Sequence, residues 1–396
     1  AMSPARITLK QGKAKPFYAR HPWVFPGAID SVEENLPDGS EVEVYSAGGN
    51  FIAKGLYNSQ SKIRVRLYTW NADQSLDKEF FKTKFQNAIQ LRTDLGLIND
   101  ESGCRLVFSE ADNLSGICVD KYGRWLVAQF TSLAMANRRE MFFDILQELL
   151  NPDGIYLRTE KGIGKLEGIS LQDEICRGTP PDGPVPIVEH GLQFMVNLSE
   201  GQKTGYYLDQ KENRHEVGKL AQGRRVLDVF CYGGGFSMHA LKYGALETVG
   251  IDQSASALNL AVENAKRNNL GPCRWILGSA FEKLSELVEA GEKFGLIILD
   301  PPKFARSQNA INEAIKGYRR LNSLGLRLLE PGGFLVSCCC SGLITMDMME
   351  HMLALVGADE KRDIQVLQRR GPSPDHPVSA SCLESHYLKC IITRVM

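Results

Sequence analysis

The chain has 396 residues, 43% of them hydrophobic and 23% charged, with a formal net charge of −1. That length predicts two to three domains, and the composition is that of globular chains able to bury a core without disulfide or metal staples. No apolar run approaches the roughly 18 residues of a membrane span and no leader-like segment opens the chain, so a membrane protein, a secreted scaffold and a disordered chain are disfavoured and a cytoplasmic location is expected.

In chain order, residues 1–20 hold Arg6, Lys10, Lys13, Lys15 and Arg20 and no acid, so overall near-neutrality conceals a basic N-terminus. Alternating stretches at 41–45, 51–55 and 62–68 predict a small β-barrel-like module over residues 2–72. Period two puts Lys62, Arg64 and Arg66 on one face of the last strand, read either as a solvated face or as part of a cationic surface. Residues 73–190 predict a central α+β domain, with helices at 77–95 and 137–150, strands at 105–108, 116–120, 125–130 and 155–158, and a turn-rich connector at 179–186. Over 191–396, after a strand at 193–197, strands at 225–230, 248–251, 274–277, 296–299 and 334–337 alternate with helices, which predicts a parallel sheet covered on both faces. Two further strands, 364–368 and 387–395, close the chain without a helix between them. The fold class is therefore α/β, a Rossmann-like seven-stranded C-terminal domain behind a β-barrel module and a central α+β domain.

Ligands of such sheets bind outside the carboxyl ends of the strands, and four sequence features fall there or just before the first strand. Val226-Leu-Asp-Val-Phe-Cys-Tyr-Gly-Gly-Gly-Phe236 runs a buried strand into glycines that open a helix, and Asp252 ends the next strand, placed to accept hydrogen bonds from ribose hydroxyls. A dinucleotide fingerprint would need glycine where Met238 stands, which argues against a nicotinamide-dependent dehydrogenase. Ile297-Ile-Leu-Asp-Pro-Pro-Lys-Phe304 ends a strand in a loop stiffened by two prolines. Pro331-Gly-Gly-Phe-Leu-Val-Ser-Cys-Cys-Cys-Ser-Gly342 ends the next strand in three cysteines. Cysteine is commonly just a small hydrophobe, but here it lies beside two other strand-end motifs. Ser199-Glu-Gly-Gln-Lys-Thr-Gly-Tyr-Tyr-Leu-Asp-Gln-Lys-Glu-Asn-Arg214 precedes the sheet and reads as a ligand-facing loop leading into a helix. The ten cysteines include no Cys-x-x-Cys and the seven histidines show no ligand spacing, so no metal site is expected.

The glycine string resembles motif I of class I S-adenosylmethionine-dependent methyltransferases, and the Asp-Pro-Pro string resembles their motif IV, which in enzymes acting on nucleobases lines the target-base pocket. The cysteine run is similar to motif VI of RNA 5-methylcytosine methyltransferases. Alignment from Gly332-Gly333 puts the nucleophile on Cys340, with Cys338 as the alternative on the same strand face and Cys339 pointing away. The 199–214 string resembles a motif X that caps the cofactor, and Arg20-His-Pro-Trp-Val-Phe-Pro-Gly27 with the strands after it looks like a PUA domain. Together with Asp375-His-Pro-Val378 and Tyr387-Leu-Lys389, the whole chain resembles the ribosomal RNA large subunit methyltransferase I family.

That resemblance implies S-adenosylmethionine as cofactor, 23S rRNA or a large-subunit precursor as partner with no obligatory protein partner and no membrane, and methylation at C5 of one cytidine through a cysteine–C6 adduct. It assigns Cys340, Asp300 and Cys338 to catalysis. Asp228, Phe230, Gly233, Gly235, Asp252, Ser279, Thr204 and Tyr207 are expected on the cofactor, and Lys10, Lys13, Arg20, His21 and Lys303 on RNA. Lys303 departs from the family pattern of RNA 5-methylcytosine enzymes, many of which carry a second cysteine there, and from amine methylators, which place an aromatic residue there. Cys339 departs from the serine usual between the two other cysteines. An rRNA guanine- or adenine-nitrogen methyltransferase on the same scaffold is the nearest alternative, since such chemistry needs no thiol.

Overall fold

The computed structural model describes residues 4–199 and 206–396. By packing, they divide into two compact units, one drawn from Ala1–Val185, Val196–Tyr206 and Pro374–Ser385, the other from Pro186–Met195, Tyr207–Ser373 and His386–Met396.

The first unit holds a six-stranded sheet in the order Trp23–Val24, Val65–Thr69, Phe51–Tyr57, Glu41–Tyr45, Ala5–Leu9, Ile29–Val32. One of its faces buries Ile7, Val24, Val42, Val44, Ala53, Val65 and Leu67. The other does not face water as its basic residues suggested. Tyr68 packs there with Phe81, Phe85 and Phe142 from the helices Lys78–Asp94 and Arg139–Leu150. Arg66, its neighbour on that face by period two, is therefore buried, and its guanidinium meets Glu110 at 3.3 Å, the Ser115 hydroxyl at 3.0 Å and the Thr131 carbonyl at 3.3 Å. The expected Lys62/Arg64/Arg66 cationic face is corrected accordingly. The strand begins only at Val65, Lys62 lies exposed before it, and Arg66 is an internal ion-pair residue.

A five-stranded sheet, Glu174–Gly178, Gly154–Arg158, Trp125–Phe130, Ile117–Tyr122 and Gly103–Phe108, completes this unit. The helix Lys78–Asp94 starts where the Asp77 carboxylate caps the Phe80 N–H at 2.9 Å. Its Arg92 is fully buried, with two hydrogen bonds to Asp112 at 2.6 and 2.9 Å and one to the Asp375 carbonyl at 2.8 Å.

The second unit is built on seven strands: β1 (Arg225–Val229), β2 (Glu247–Asp252), β3 (Cys273–Leu277), β4 (Phe294–Leu299), β5 (Leu329–Cys339), β6 (Ile364–Arg370) and β7 (Lys389–Val395). Their order is β3-β2-β1-β4-β5-β7-β6, with β7 antiparallel to both neighbours and the β1–β5 pairs parallel. Helices α1 (Gly235–Lys242), α2 (Ala255–Arg267), α3 (Ala280–Glu289), α4 (Ile311–Leu328) and α5 (Met346–Glu360) supply the crossovers. The two sheet faces bury separate clusters, Leu227, Leu299, Leu335 and Cys339 on one, Val226, Ile298, Val336 and Cys338 on the other. Adjacent cysteines of β5 thus point to opposite sides, as period two requires.

Candidate active site at the strand ends

Register brings the motifs together. Val229 pairs with Leu299 and Leu299 with Ser337, so Phe230, Asp300 and Cys338 follow one row further along three neighbouring strands. Cys340 lies just beyond β5, its thiol 3.8 Å from the Pro301 carbonyl, and the Ser341 hydroxyl donates to the Ala305 carbonyl at 3.0 Å. These contacts hold the cysteine run against the loop that Pro301 and Pro302 stiffen.

The alternative nucleophile sits differently. Cys338 is 1% exposed and lies in the core opposite Cys390. A hydrogen bond with Cys390, reinforced by burial, pushes its thiol well above the ordinary range. Cys339 is fully buried on the other face with its thiol 3.3 Å from the Tyr318 hydroxyl. Of the three, Cys340 alone is not fully buried.

Asp300 is half-buried and pushed up to about 7, first by desolvation and then by the Asp209 carboxylate, against the stabilising hydrogen bond from Gln210 at 3.3 Å. A carboxyl raised in the fold contributes stability that is lost as pH rises through its folded value, whereas asparagine cannot ionise. The difference in unfolding free energy between wild type and Asp300→Asn should therefore move against wild type by about 1 kcal/mol from pH 6 to pH 8, measured by denaturant titration without cofactor.

Around the glycines the backbone enters the left-handed region at Phe230 (φ 62°), Tyr232 (φ 48°) and Gly234 (φ 76°). Only the last needs glycine outright. A Cβ there would lie 2.8 Å from the Trp275 ring. The sequence reading chose Gly233 and Gly235 and missed this one. Gly233 lends its carbonyl to the Asn264 amide at 2.8 Å, and Gly235 is the first residue of α1.

Asp228 is fully buried. One oxygen accepts the Ser237 N–H (3.1 Å) and hydroxyl (2.8 Å), the other has no partner, and burial raises the carboxyl to about 6. Asp252 receives the Tyr232 and Ser254 N–H groups at 3.0 and 2.9 Å, one on each oxygen, leaving a lone pair on each for ribose hydroxyls. The Tyr207 ring packs edge-on against Tyr232 at 5.2 Å. Burial raises its phenol above the usual range, with further contributions from Asp300, Asp209, Cys340 and Asp252. Tyr207 therefore stands among the residues of this site. Thr204 lies outside the described residues, and Ser279 is exposed at the start of α3 without capping it.

An open glycine turn, a buried carboxylate oxygen awaiting a donor and an acidic strand end suit S-adenosylmethionine, with Asp228, Asp252 and the Gly233–Gly235 backbone to hold it. The sequence reading noted Lys389 only as part of a string and gave it no role. It is buried beside the cysteine run, with its ammonium bound to the carbonyls of Ser341 and Tyr387.

Of the residues expected on RNA, Lys10, Lys13, Arg20 and Lys303 are exposed. Tyr18 (50% exposed) and Phe25 (46%) add aromatic surface near the basic N-terminal residues. Arg20 takes φ 69° and places its guanidinium 5.3 Å from the Trp70 ring centroid. His21 is half-buried. Its Nδ1 accepts the Trp23 N–H at 3.2 Å, so Nε2 carries the proton and donates to Glu384 at 3.0 Å. His21, Cys382 and Glu384 are the one group among the described residues whose ligand atoms cluster within 4.8 Å, but that tautomer turns a proton, not a lone pair, toward the others. No described helix is long and apolar enough to cross a membrane.

Comparison with known proteins agrees with this geometry. Residues 7–70 match the model of a PUA-like domain, and residues 173–384 match that of an S-adenosylmethionine-dependent methyltransferase. A solved methyltransferase complexed with SAH superposes with a TM-score of 0.86 at 21% identity, covering 98% of this chain and 99% of that one. An S-adenosylmethionine-dependent methyltransferase from Streptococcus mutans gives 0.84 at the same identity and coverage. Proteins named ribosomal RNA large subunit methyltransferase I are 37% identical in Erwinia tasmaniensis over 393 residues, 99% of each chain, and 37% identical in Aeromonas salmonicida over 390 residues, 98% of each. With relatives matched over nearly its whole length and a methyltransferase model matched over residues 173–384, the chain is an S-adenosylmethionine-dependent methyltransferase and belongs to the ribosomal RNA large subunit methyltransferase I family.

Proposed function

We propose that the enzyme methylates C5 of one cytidine in 23S rRNA, in the cytoplasm, with Cys340 as nucleophile. The observation that carries this reading is the thiol held against the Asp300-Pro-Pro loop, since transfer to a nitrogen needs no thiol at all. S-adenosylmethionine supplies an electrophilic methyl group on its sulfonium. C5 of cytosine is too weak a nucleophile to take it directly. The Cys340 thiolate adds to C6, and the C5–C6 π electrons become available at C5 to form the new carbon–carbon bond. A base, water in the open site, then takes the C5 proton, its bonding electrons re-form the C5–C6 double bond, and sulfur departs from C6 as the thiolate. Asp300, with its raised pKa, hydrogen-bonds the N3/N4 edge and stabilises the adduct. Nucleoside mass spectrometry of rRNA treated with the enzyme tests the reading: it expects 5-methylcytidine, and a methylated guanine or adenine nitrogen would overturn it.

The N-terminal residues 2–72, with a PUA-like match, supply the RNA-tracking surface, followed by a central domain over 73–190 and the catalytic domain over 191–396. Lys10, Lys13 and Arg20 would neutralise phosphates. Replacing any one with alanine should weaken binding and lower the slope of log K against log salt by about 1 in filter-binding titrations, while leaving turnover at saturating RNA unchanged.

A further inference from the structure

Two buried side chains, Asn213 and Gln210, and the half-buried Arg370 form a chain of hydrogen bonds that leads to Asp300. Arg370, the last residue of β6, donates its Nε–H to the Asn213 carbonyl oxygen at 2.8 Å. The Asn213 amide gives one hydrogen to the Gly371 carbonyl at 3.0 Å and the other to the Gln210 carbonyl oxygen at 2.8 Å. Gln210 in turn donates to Asp300 Oδ1 at 3.3 Å. Asn213 and Gln210 are 1% and 2% exposed.

The polarity of this chain is forced. Arginine has no acceptor and a peptide carbonyl has no donor, so Asn213 can present only its oxygen to Arg370 and only its NH2 to Gly371. Its second hydrogen then fixes the Gln210 oxygen, and the Gln210 NH2 is left facing Asp300. An amide in a solvent-exposed loop could flip. This one cannot without stranding several buried groups.

We propose that Gln210, keyed by Asn213 and Arg370, is a positioning residue that makes Asp300 Oδ1 a committed acceptor and directs the Asp300 proton to Oδ2, so that the site selects cytosine over uracil. The inference rests on the base-methylation reading above. Cytosine offers an acceptor at N3 beside a donor at N4, which matches a carboxyl with one protonated and one accepting oxygen. Uracil offers the reverse, a donor at N3 and an acceptor at O4. With Oδ1 already accepting from Gln210, the carboxyl cannot reverse itself to fit uracil.

The groups facing Asp300 are Asp209 on the turn before the helix Lys211–Gly218, Arg214 on that helix, Asp228 on β1, Cys338 on β5, and Tyr207. Gln210 is the neutral donor among them, and its hydrogen bond favours the carboxylate. Removing it moves the carboxyl further up.

The test compares wild type, Gln210→Leu and Arg370→Met on 23S rRNA transcripts carrying 5-fluorocytidine or 5-fluorouridine, with kcat/KM followed against pH on the unmodified transcript. Folding of each variant is checked by its thermal stabilisation with S-adenosylmethionine. Gln210→Leu should move the alkaline limb of the profile to higher pH and reduce the preference for fluorocytidine adducts over fluorouridine adducts by about tenfold. Arg370→Met, which leaves Gln210 in place and only unlocks its orientation, should shift both in the same direction by less. A folded Gln210→Leu enzyme that loses rate uniformly, with limb and base preference unmoved, would overturn the inference. No adduct on fluorocytidine RNA with the wild-type enzyme would instead overturn the C5 reading on which it rests.

Discussion

Cys340→Ser is expected to reduce methyl transfer by about a thousandfold or more while leaving S-adenosylmethionine binding intact. A serine hydroxyl at neutral pH is almost wholly protonated and a far weaker nucleophile than a thiolate, so addition at C6 loses the group on which it depends. Nothing in the surrounding packing should fail with it. Cys340 lies past the end of β5, is not fully buried, and makes a weak sulfur contact of 3.8 Å to the Pro301 carbonyl that a hydroxyl can also make. Cys338→Ser is the instructive control. It puts a hydroxyl opposite Cys390 in a core otherwise lined by Val336, Ile298 and Ile392, and should lower stability rather than abolish chemistry. Rate constants and melting temperatures of the two variants, measured side by side, separate the two roles. Loss of activity on Cys338→Ser at full stability would reverse the assignment.

The second large effect is structural. Arg214→Met should destabilise the methyltransferase unit by about 3–5 kcal/mol in denaturant titrations, because it removes a guanidinium that is paired with a buried carboxylate. Glu189 and Arg214 are 7% and 4% exposed and joined by two hydrogen bonds of 2.7 and 3.0 Å. Desolvation pushes the Glu189 carboxyl up, but the guanidinium and the His239 N–H together hold it well below the usual range. His239 is fully buried, donates to Glu189 from Nε2 at 2.8 Å and keeps a bare Nδ1 without a partner, which fits the neutral imidazole that burial imposes. Arg214 also donates to the Tyr207 carbonyl at 2.9 Å, so the same substitution removes a hydrogen bond from the Tyr207 backbone. Combining Arg214→Met with Glu189→Leu should recover much of the loss by removing the stranded charge. A double variant no better than the single would show that the cost lies in packing, not in the buried charge.

What the sequence made legible, and what it did not, divides along physical lines. That Asp228, Asp252, Asp300 and the cysteines of β5 gather at one end of the sheet was readable because buried parallel strands have strong patterns. Asp300 and Cys340 then come together through a register that follows from strand order. Period two correctly separated Cys338 from Cys339, yet it failed for Arg66. The alternation of a strand says which residues share a face, not whether helices such as Lys78–Asp94 will cover it. Gly234 was missed because its need is set by Trp275, a contact from another strand. The Gln210–Asn213–Arg370 chain and Lys389 were illegible for the same reason. Their meaning depends on distant partners, Asp300 90 residues from Gln210, Arg370 157 from Asn213 and Ser341 48 from Lys389, and no local spacing announces a buried hydrogen-bond direction. The segment Asp375-His-Pro-Val378 looked like a family mark without a role. It belongs to the first compact unit, where the Asp375 carboxylate receives the Arg105 N–H at 2.9 Å.

The central claim is that Cys340 attacks C6 of a cytosine, and trapping of that adduct tests it most directly. In 5-fluorocytidine the position that must lose a proton carries fluorine, which cannot leave as a cation, so sulfur stays bound to C6 after methyl transfer. Wild-type enzyme incubated with S-adenosylmethionine and 23S rRNA transcript containing 5-fluorocytidine should form a denaturation-resistant protein–RNA species, and peptide mass spectrometry should place the crosslink on Cys340. Absence of any such species from an enzyme that methylates the unsubstituted transcript, or a crosslink that persists in Cys340→Ser, would contradict the account.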